Sequence, residues 1–138
     1  MSTAEHNEIN KRQLIGRFGE NEVLRRYAEM GFSMVARNLH ISHNEIDLIL
    51  KNETHLVFVE VKTRHAVPGA RSRYGRPADS INKAKRERMR RAAEDYLRAH
   101  PTELQPRIDV AEVYLRRLYD GTEDVIEIKI FPNAYKGR

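Results

Sequence analysis

Apolar residues along this chain recur in two periods. From Lys11 to Met30, Leu14, Phe18, Val23, Leu24, Tyr27 and Ala28 fall roughly at helical spacing, and Gly31 follows in the usual place for a helix end. Gly16 and Gly19 interrupt this stretch at a cost of about 1 kcal/mol each against Ala. They therefore predict close approach of a neighbouring backbone. After Gly31 the period shortens. Phe32–Leu39, Glu45–Lys51 and Thr54–Arg64 read as three strands, with Met34 and Val35 anchoring the first and Asn52-Glu53 turning the second into the third. Helical spacing returns beyond Pro77, with Asp79 or Ser80 as N-cap. Ile81, Met89, Ala92, Ala93, Tyr96 and Leu97 form its apolar stripe, ending near Ala99. Arg107–Leu118 and Val125–Phe131 read as two further strands joined at Asp120-Gly121. The order helix, three strands, helix, two strands predicts an α/β fold, a central mixed β-sheet of about five strands flanked by two main helices. Residues 1–9 read as a disordered N-terminus, 10–131 as a single domain and 132–138 as a loose basic tail. There is no internal repeat.

Acids break the apolar strands. Asp47 lies between Ile46 and Leu48, and Glu60 lies within Val57-Phe58-Val59-Glu60-Val61-Lys62. A half-buried acid costs stability unless it is paired or holds a cation. Side chains alternate along a strand, so Glu60 and Lys62 share a face. A two-residue turn at Asn52-Glu53 pairs Lys51 with Thr54, Asp47 with Phe58 and Glu45 with Glu60. Asp47 and Glu60 are then diagonal neighbours on one face, within reach of one cation.

Charge adds a candidate partner. The chain of 138 residues has formal net charge +5. Residues 61–100 hold twelve Lys/Arg against four acids. A basic block of this kind is the footprint of a polyanion, or else a solvated helix face. Arg64 and the loop arginines Arg71, Arg73 and Arg76 belong to it, as do Lys85 and Arg88 on the second helix. Tyr74, in the same loop, either stacks on a base or packs the loop. No apolar run is long enough for a membrane, and the polar, acidic N-terminus is unlike a signal peptide. With no cysteine, disulfides and thiolate metal sites are excluded. A cytoplasmic location is expected.

Two converging carboxylates with no thiolate favour Mg²⁺ or Mn²⁺ over Zn²⁺. The backbone carbonyl of Val61 is a further candidate ligand. Lys62 on the same side could orient or deprotonate a water, or offset phosphate charge. These parts suit phosphodiester hydrolysis. A structural ion pair, Asp47–Lys62 or Glu60–Lys62, explains the same residues. The six histidines show no ligand spacing. Asp109, on a neighbouring strand, either lies near the site or, the favoured reading, pairs with an arginine.

Asp47 followed by Glu60-Val61-Lys62 resembles the D…(E/D)xK signature of the PD-(D/E)xK nuclease superfamily. The likeness narrows to the bacterial YraN family. It is carried by Gly16-x-x-Gly19-Glu20, Arg37-Asn38, Glu45-Ile46-Asp47-Leu48-Ile49, Val57 to Lys62 with Arg64, Lys85 followed by Ala92-Ala93 and Tyr96-Leu97, and Arg107-Ile108-Asp109-Val110, in that order. The resemblance implies a restriction-endonuclease-like fold and an activity similar to Holliday-junction resolvases. It makes Asp47 and Glu60 metal ligands, Lys62 the catalytic lysine and Glu20 an additional carboxylate. It places Lys85 near the scissile phosphate. Asn44 stands where the family has Gly, and its tolerance of left-handed backbone would preserve the turn. Resolvase-like relatives are often dimers, so a homodimer is a candidate assembly, although no interface is legible.

The expected function is thus a Mg²⁺-dependent endonuclease acting on DNA, branched or junction DNA included. The alternative is a nucleic-acid-binding module without catalysis. A weaker reading is a scaffold whose basic helix meets an acidic protein.

Overall fold

The computed structural model describes residues 3–65 and 83–134. Their order is α1 (Thr3–Glu29), β1 (Ser33–Ile41), β2 (Asn44–Lys51), β3 (His55–His65), α2 (Lys83–Ala99), β4 (Gln105–Arg117) and β5 (Glu123–Phe131). The five strands form one mixed sheet in the order β1-β2-β3-β4-β5. β3 and β4 are parallel, and the other neighbours are antiparallel. This is the expected α/β architecture, consistent with a restriction-endonuclease-like fold. The loop bearing Arg71, Arg73, Tyr74 and Arg76, with Pro77, the N-cap candidates and Ile81, lies outside the described residues.

Alternation on the strands builds two apolar layers. Val57 and Val59 of β3 join Leu48, Leu50, Ala111 and Val113 beneath Val23 and Tyr27 of α1. Leu56 and Phe58 face the other way and join Ile49 and Val110 beneath Met89, Ala92, Ala93 and Tyr96 of α2. The α1 stripe is narrower than expected. Val23 and Tyr27 are fully buried, but Leu14 is exposed and so is Ala28. Met34 and Val35 are also exposed; Ala36, Leu39 and Ile41 attach β1 to the core instead.

Other boundaries moved for physical reasons. α1 begins at Thr3, so residues 3–9 are helical rather than disordered. Their polarity hid strong helix formers such as Ala4, Glu5 and Glu8. Gly31 ends α1 with φ +93°. The N–H groups of Phe32 and Gly31 return to the carbonyls of Tyr27 and Ala28, closing the helix end. The turn between β1 and β2 uses left-handed Ser42 and His43, so Asn44 is not its left-handed residue. The start of the C-terminal tail is tied down rather than loose. Asn133 N–H donates to Asp109 Oδ1 (2.9 Å) and Ala134 N–H to the Ile108 carbonyl (2.8 Å). Residues 135–138 lie outside the described residues.

Gly19 is buried against β3. A Cβ there would lie 2.3 Å from Thr63 Oγ1, a side chain rather than the expected backbone, whereas one at Gly16 would meet nothing within 4 Å. Gly19→Ala is therefore expected to cost about 1–3 kcal/mol, as overpacking does. Gly16→Ala, at a helix interior position, should stabilise by about 1 kcal/mol. Urea unfolding of the two variants checks this, and equal effects would refute the close-approach account.

Candidate functional site

The β2–β3 hairpin sets the site. Its turn centres on Glu53-Thr54 and not on Asn52-Glu53. The Asn52 N–H donates to the His55 carbonyl (3.1 Å), and the Asn52 side-chain oxygen accepts the N–H groups of Thr54 and His55. That side chain moves the turn one residue along. The ladder consequently runs from Lys51↔Leu56 to Leu48↔Val59. Continued one step, it sets Asp47 opposite Glu60 rather than opposite Phe58, and carries Glu45 past Glu60. That register would set the expected diagonal pair directly opposite each other.

The strands part at that step. The Asp47 carboxylate, rather than a main-chain carbonyl, accepts the Val61 N–H (2.8 Å). On the other side, Arg37↔Leu48 and Leu39↔Ile46 leave Asn38 beside Asp47. Asn38 has φ 51° and breaks the β1 edge there. Ile46 and Leu48, two apart, pack in opposite apolar layers, so β2 rolls over at Asp47. Asp47 sits where the regular ladder fails.

Asp47 and Glu60 line one recess of about 270 Å³, together with Glu45 and, from α2, Lys85, Arg88 and Met89. Two lysines meet on one oxygen of Glu60. Lys62 Nζ lies 3.5 Å from Glu60 Oε2 and Lys85 Nζ 3.3 Å from it. Arg88 is exposed at the rim. Burial pushes the Asp47 carboxyl up to about 7 against the pull of the Val61 N–H, and Glu60, Glu20 and Glu45 push it further the same way. Burial, with Lys85 alongside, moves Lys62 below the usual lysine value in spite of Glu60. Of the two lysines, Lys62 gives up its proton more readily.

Glu20 stands apart from the recess. It accepts Arg37 Nε (3.1 Å) and Asn38 Nδ2 (3.3 Å), which pins α1 to β1. Its charge reaches Asp47, but its carboxylate is already held. Arg64 is half-buried with its Nε unpartnered, and its charge acts on Tyr114. It does not line the recess. Asp109 pairs with Arg107 at 2.9 and 3.0 Å, as its strand position suggested.

Two carboxylates lining one recess, with Asp47 buried and without a cationic partner of its own among the described residues, are a donor set that a hard divalent cation would fit. Mg²⁺ takes one or two carboxylates and completes its shell with water. Among the described residues no group of three His, Asp or Glu could hold a metal, so the fit is to a water-rich, two-carboxylate ion. The Val61 carbonyl stays a candidate ligand.

Two features went unread in the sequence. The Arg37-Asn38 pair has a structural task, holding Glu20. Glu112 is fully buried on β4. An acid inside the apolar run Val110 to Leu115 is the same signal that marked Asp47 and Glu60.

Comparison with known proteins places the chain. The model of "Uncharacterised protein family UPF0102" matches residues 19–113. A UPF0102 protein of Caldicellulosiruptor saccharolyticus is 32% identical over 128 residues, covering 92% of this chain and all of the relative. One from Acetivibrio thermocellus is 33% identical over 137 residues, covering 98% of this chain and all of the relative. One from Symbiobacterium thermophilum is 34% identical over 122 residues, covering 88% and 95%. The chain belongs to the uncharacterised protein family UPF0102, the YraN family that its motifs resemble.

Proposed function

We propose that this chain is a cytoplasmic, Mg²⁺- or Mn²⁺-dependent endonuclease that hydrolyses phosphodiester bonds of DNA, branched or junction forms included. The observation that carries the reading is the recess itself, where Asp47 and Glu60 meet Lys85 and Arg88 with Lys62 on Glu60. Asp47 and Glu60 would hold the ion, with Glu20 supporting through its charge on Asp47. When bound, that ion supplies positive charge at the phosphate and lowers the pKa of water. Lys62, eased toward its neutral form, takes a proton from the attacking water. Lys85 and Arg88 hold the phosphate. Arg71, Arg73 and Arg76, outside the described residues, are further candidates for phosphate contacts on charge alone. Arg64, half-buried on β3, would add a phosphate contact from outside the recess. Two such sites in a homodimer would suit a four-way junction. No helix among the described residues is long and apolar enough to cross a membrane.

The direct test is cleavage of linear, flapped and four-way-junction DNA with Mg²⁺, Mn²⁺ or EDTA. Cutting that requires the metal is expected. No cutting of any form with either metal would reject a nuclease.

One observation favours a second reading, a nucleic-acid-binding module without catalysis. Lys62 and Lys85 already neutralise Glu60. Calorimetric titration of Mn²⁺ separates the two, because a pure binder takes up no ion even with DNA present. Under either reading, Lys85→Ala with Arg88→Ala should lower the slope of log affinity against log salt by roughly 1–2.

A further inference from the structure

We propose that Glu112 is a positioning residue that receives Lys62 when Glu60 engages a divalent cation. The inference rests on the metal-dependent reading above. It starts from an unspent acceptor. Glu112 is 0% exposed, and Tyr114 Oη donates to its Oε1 (2.6 Å). Its Oε2 is buried with no hydrogen-bond partner. A buried carboxylate oxygen left unpaired is costly, and native chains seldom keep one without a use.

The register shows what could use it. In the parallel β3–β4 ladder Glu112 is the direct partner of Lys62. Neighbouring strands lie about 4.8 Å apart, and paired residues point to the same side, so a lysine side chain spans the gap easily. On the opposite flank Glu112 pairs in register with Lys129, whose Nζ sits 5.6 Å from the centre of the Tyr114 ring.

A cation on Glu60 forces the exchange. Lys62 and Lys85 both occupy Glu60 Oε2, and a divalent ion there repels both ammonium groups. Lys85, on α2, faces the open recess and its phosphate. Lys62 is carried by the sheet, and its register partner on β4 is Glu112, whose Oε2 has no hydrogen-bond partner. Held there by one N–H of its neutral amine, Lys62 keeps its lone pair for the attacking water. Without that acceptor, Lys62 stays on Glu60 and competes with the ion.

The test is a double-mutant cycle on Mn²⁺ binding by calorimetry, without DNA. Glu112→Gln keeps the shape and an acceptor for Tyr114 but removes the charge that draws Lys62. It should weaken Mn²⁺ binding about tenfold, by analogy with residues behind metal ligands. In a Lys62→Met background the same change should have less than about a twofold effect, since no lysine then needs an acceptor. A crystal of the wild type soaked in Mn²⁺ should show Lys62 Nζ on Glu112 Oε2. Equal loss in both backgrounds overturns the inference alone, as does Mn²⁺ binding with Lys62 still on Glu60 or with Arg64 or Lys129 on Glu112. A wild type that binds no Mn²⁺ overturns it together with the metal-dependent reading.

Discussion

Replacing Asp47 with Asn is expected to remove metal-dependent cleavage, by roughly 10³-fold or more, while making the metal-free protein more stable at pH 8. The first effect follows, on the proposed reading, from losing one of the two carboxylates that would hold the ion. The second follows from burial. The Asp47 carboxyl titrates near 7 in the folded chain against an ordinary 3.8. The folded state therefore holds its proton more tightly than the unfolded state does. Stability from this group is fully present below about pH 4, falls as pH rises toward 7, and is missing above that. That difference corresponds to a penalty on the order of 4 kcal/mol. Asn carries no charge at any of these pH values, and its side-chain oxygen can still accept the Val61 N–H. Urea unfolding at pH 5 and pH 8 without metal tests this. The gain of Asp47→Asn over wild type should be about two to three times larger at pH 8 than at pH 5. Equal gains at both pH values would contradict the burial account. Adding Mn²⁺ should narrow the gap at pH 8, because an ion that binds only the folded chain stabilises it by mass action. A site that destabilises its own fold until it is loaded is what function, rather than packing, would select.

The second large effect belongs to the other side of the sheet. Asp109→Ala is expected to destabilise the chain by about 3–5 kcal/mol, the usual result of stripping one partner from a buried charged cluster. Asp109 is completely buried. It accepts Tyr27 Oη (2.6 Å), both Arg107 donors and the Asn133 N–H. One carboxylate thus joins α1, β4 and the C-terminal segment. Burial and the Asp109 charge push the Tyr27 hydroxyl well above its ordinary value, so it stays a donor. Arg107 lies 5.6 Å from the centre of the Phe32 ring, which extends the cluster to the end of α1. Removing Asp109 would strand a guanidinium, a phenol and an amide together. Thermal and urea unfolding should show the loss, whereas Mn²⁺ affinity of the folded fraction should change less than about twofold, since distant sites add independently. A loss under about 1 kcal/mol would mean that water replaces the carboxylate.

These two aspartates show what the sequence could and could not tell. Both were visible as acids inside apolar strands. Asp109 was read as a partner for some arginine, and the structure shows that the arginine is Arg107, two residues away on the same strand. The meeting of Asp47 and Glu60 was also local, since one hairpin carries both. Its register was not legible, because the Asn52 side chain shifts the turn and nothing in composition reports a side chain accepting two backbone N–H groups. Glu20 was harder still. Its place was inferred from resemblance, and only the fold shows that Arg37 and Asn38 hold it. Glu112 was missed because its meaning depends on the parallel pairing of β3 with β4, strands separated by the whole of α2. Parallel partners leave no turn in the sequence to mark them.

The irregular β1 strand has a consequence beyond the site. β1 ends the sheet, and Met34 and Val35 are exposed on it. A straight, apolar terminal strand is a template on which further chains can add and grow into aggregates. Here the register slips between Met34 and Ala36, and Asn38 turns left-handed three residues after Val35. An incoming strand could match only a few residues before its hydrogen bonds fell out of step. The distortion that leaves Asn38 beside Asp47 also makes β1 a poor seed for intermolecular β-structure, so one break in the sheet serves both the recess and solubility.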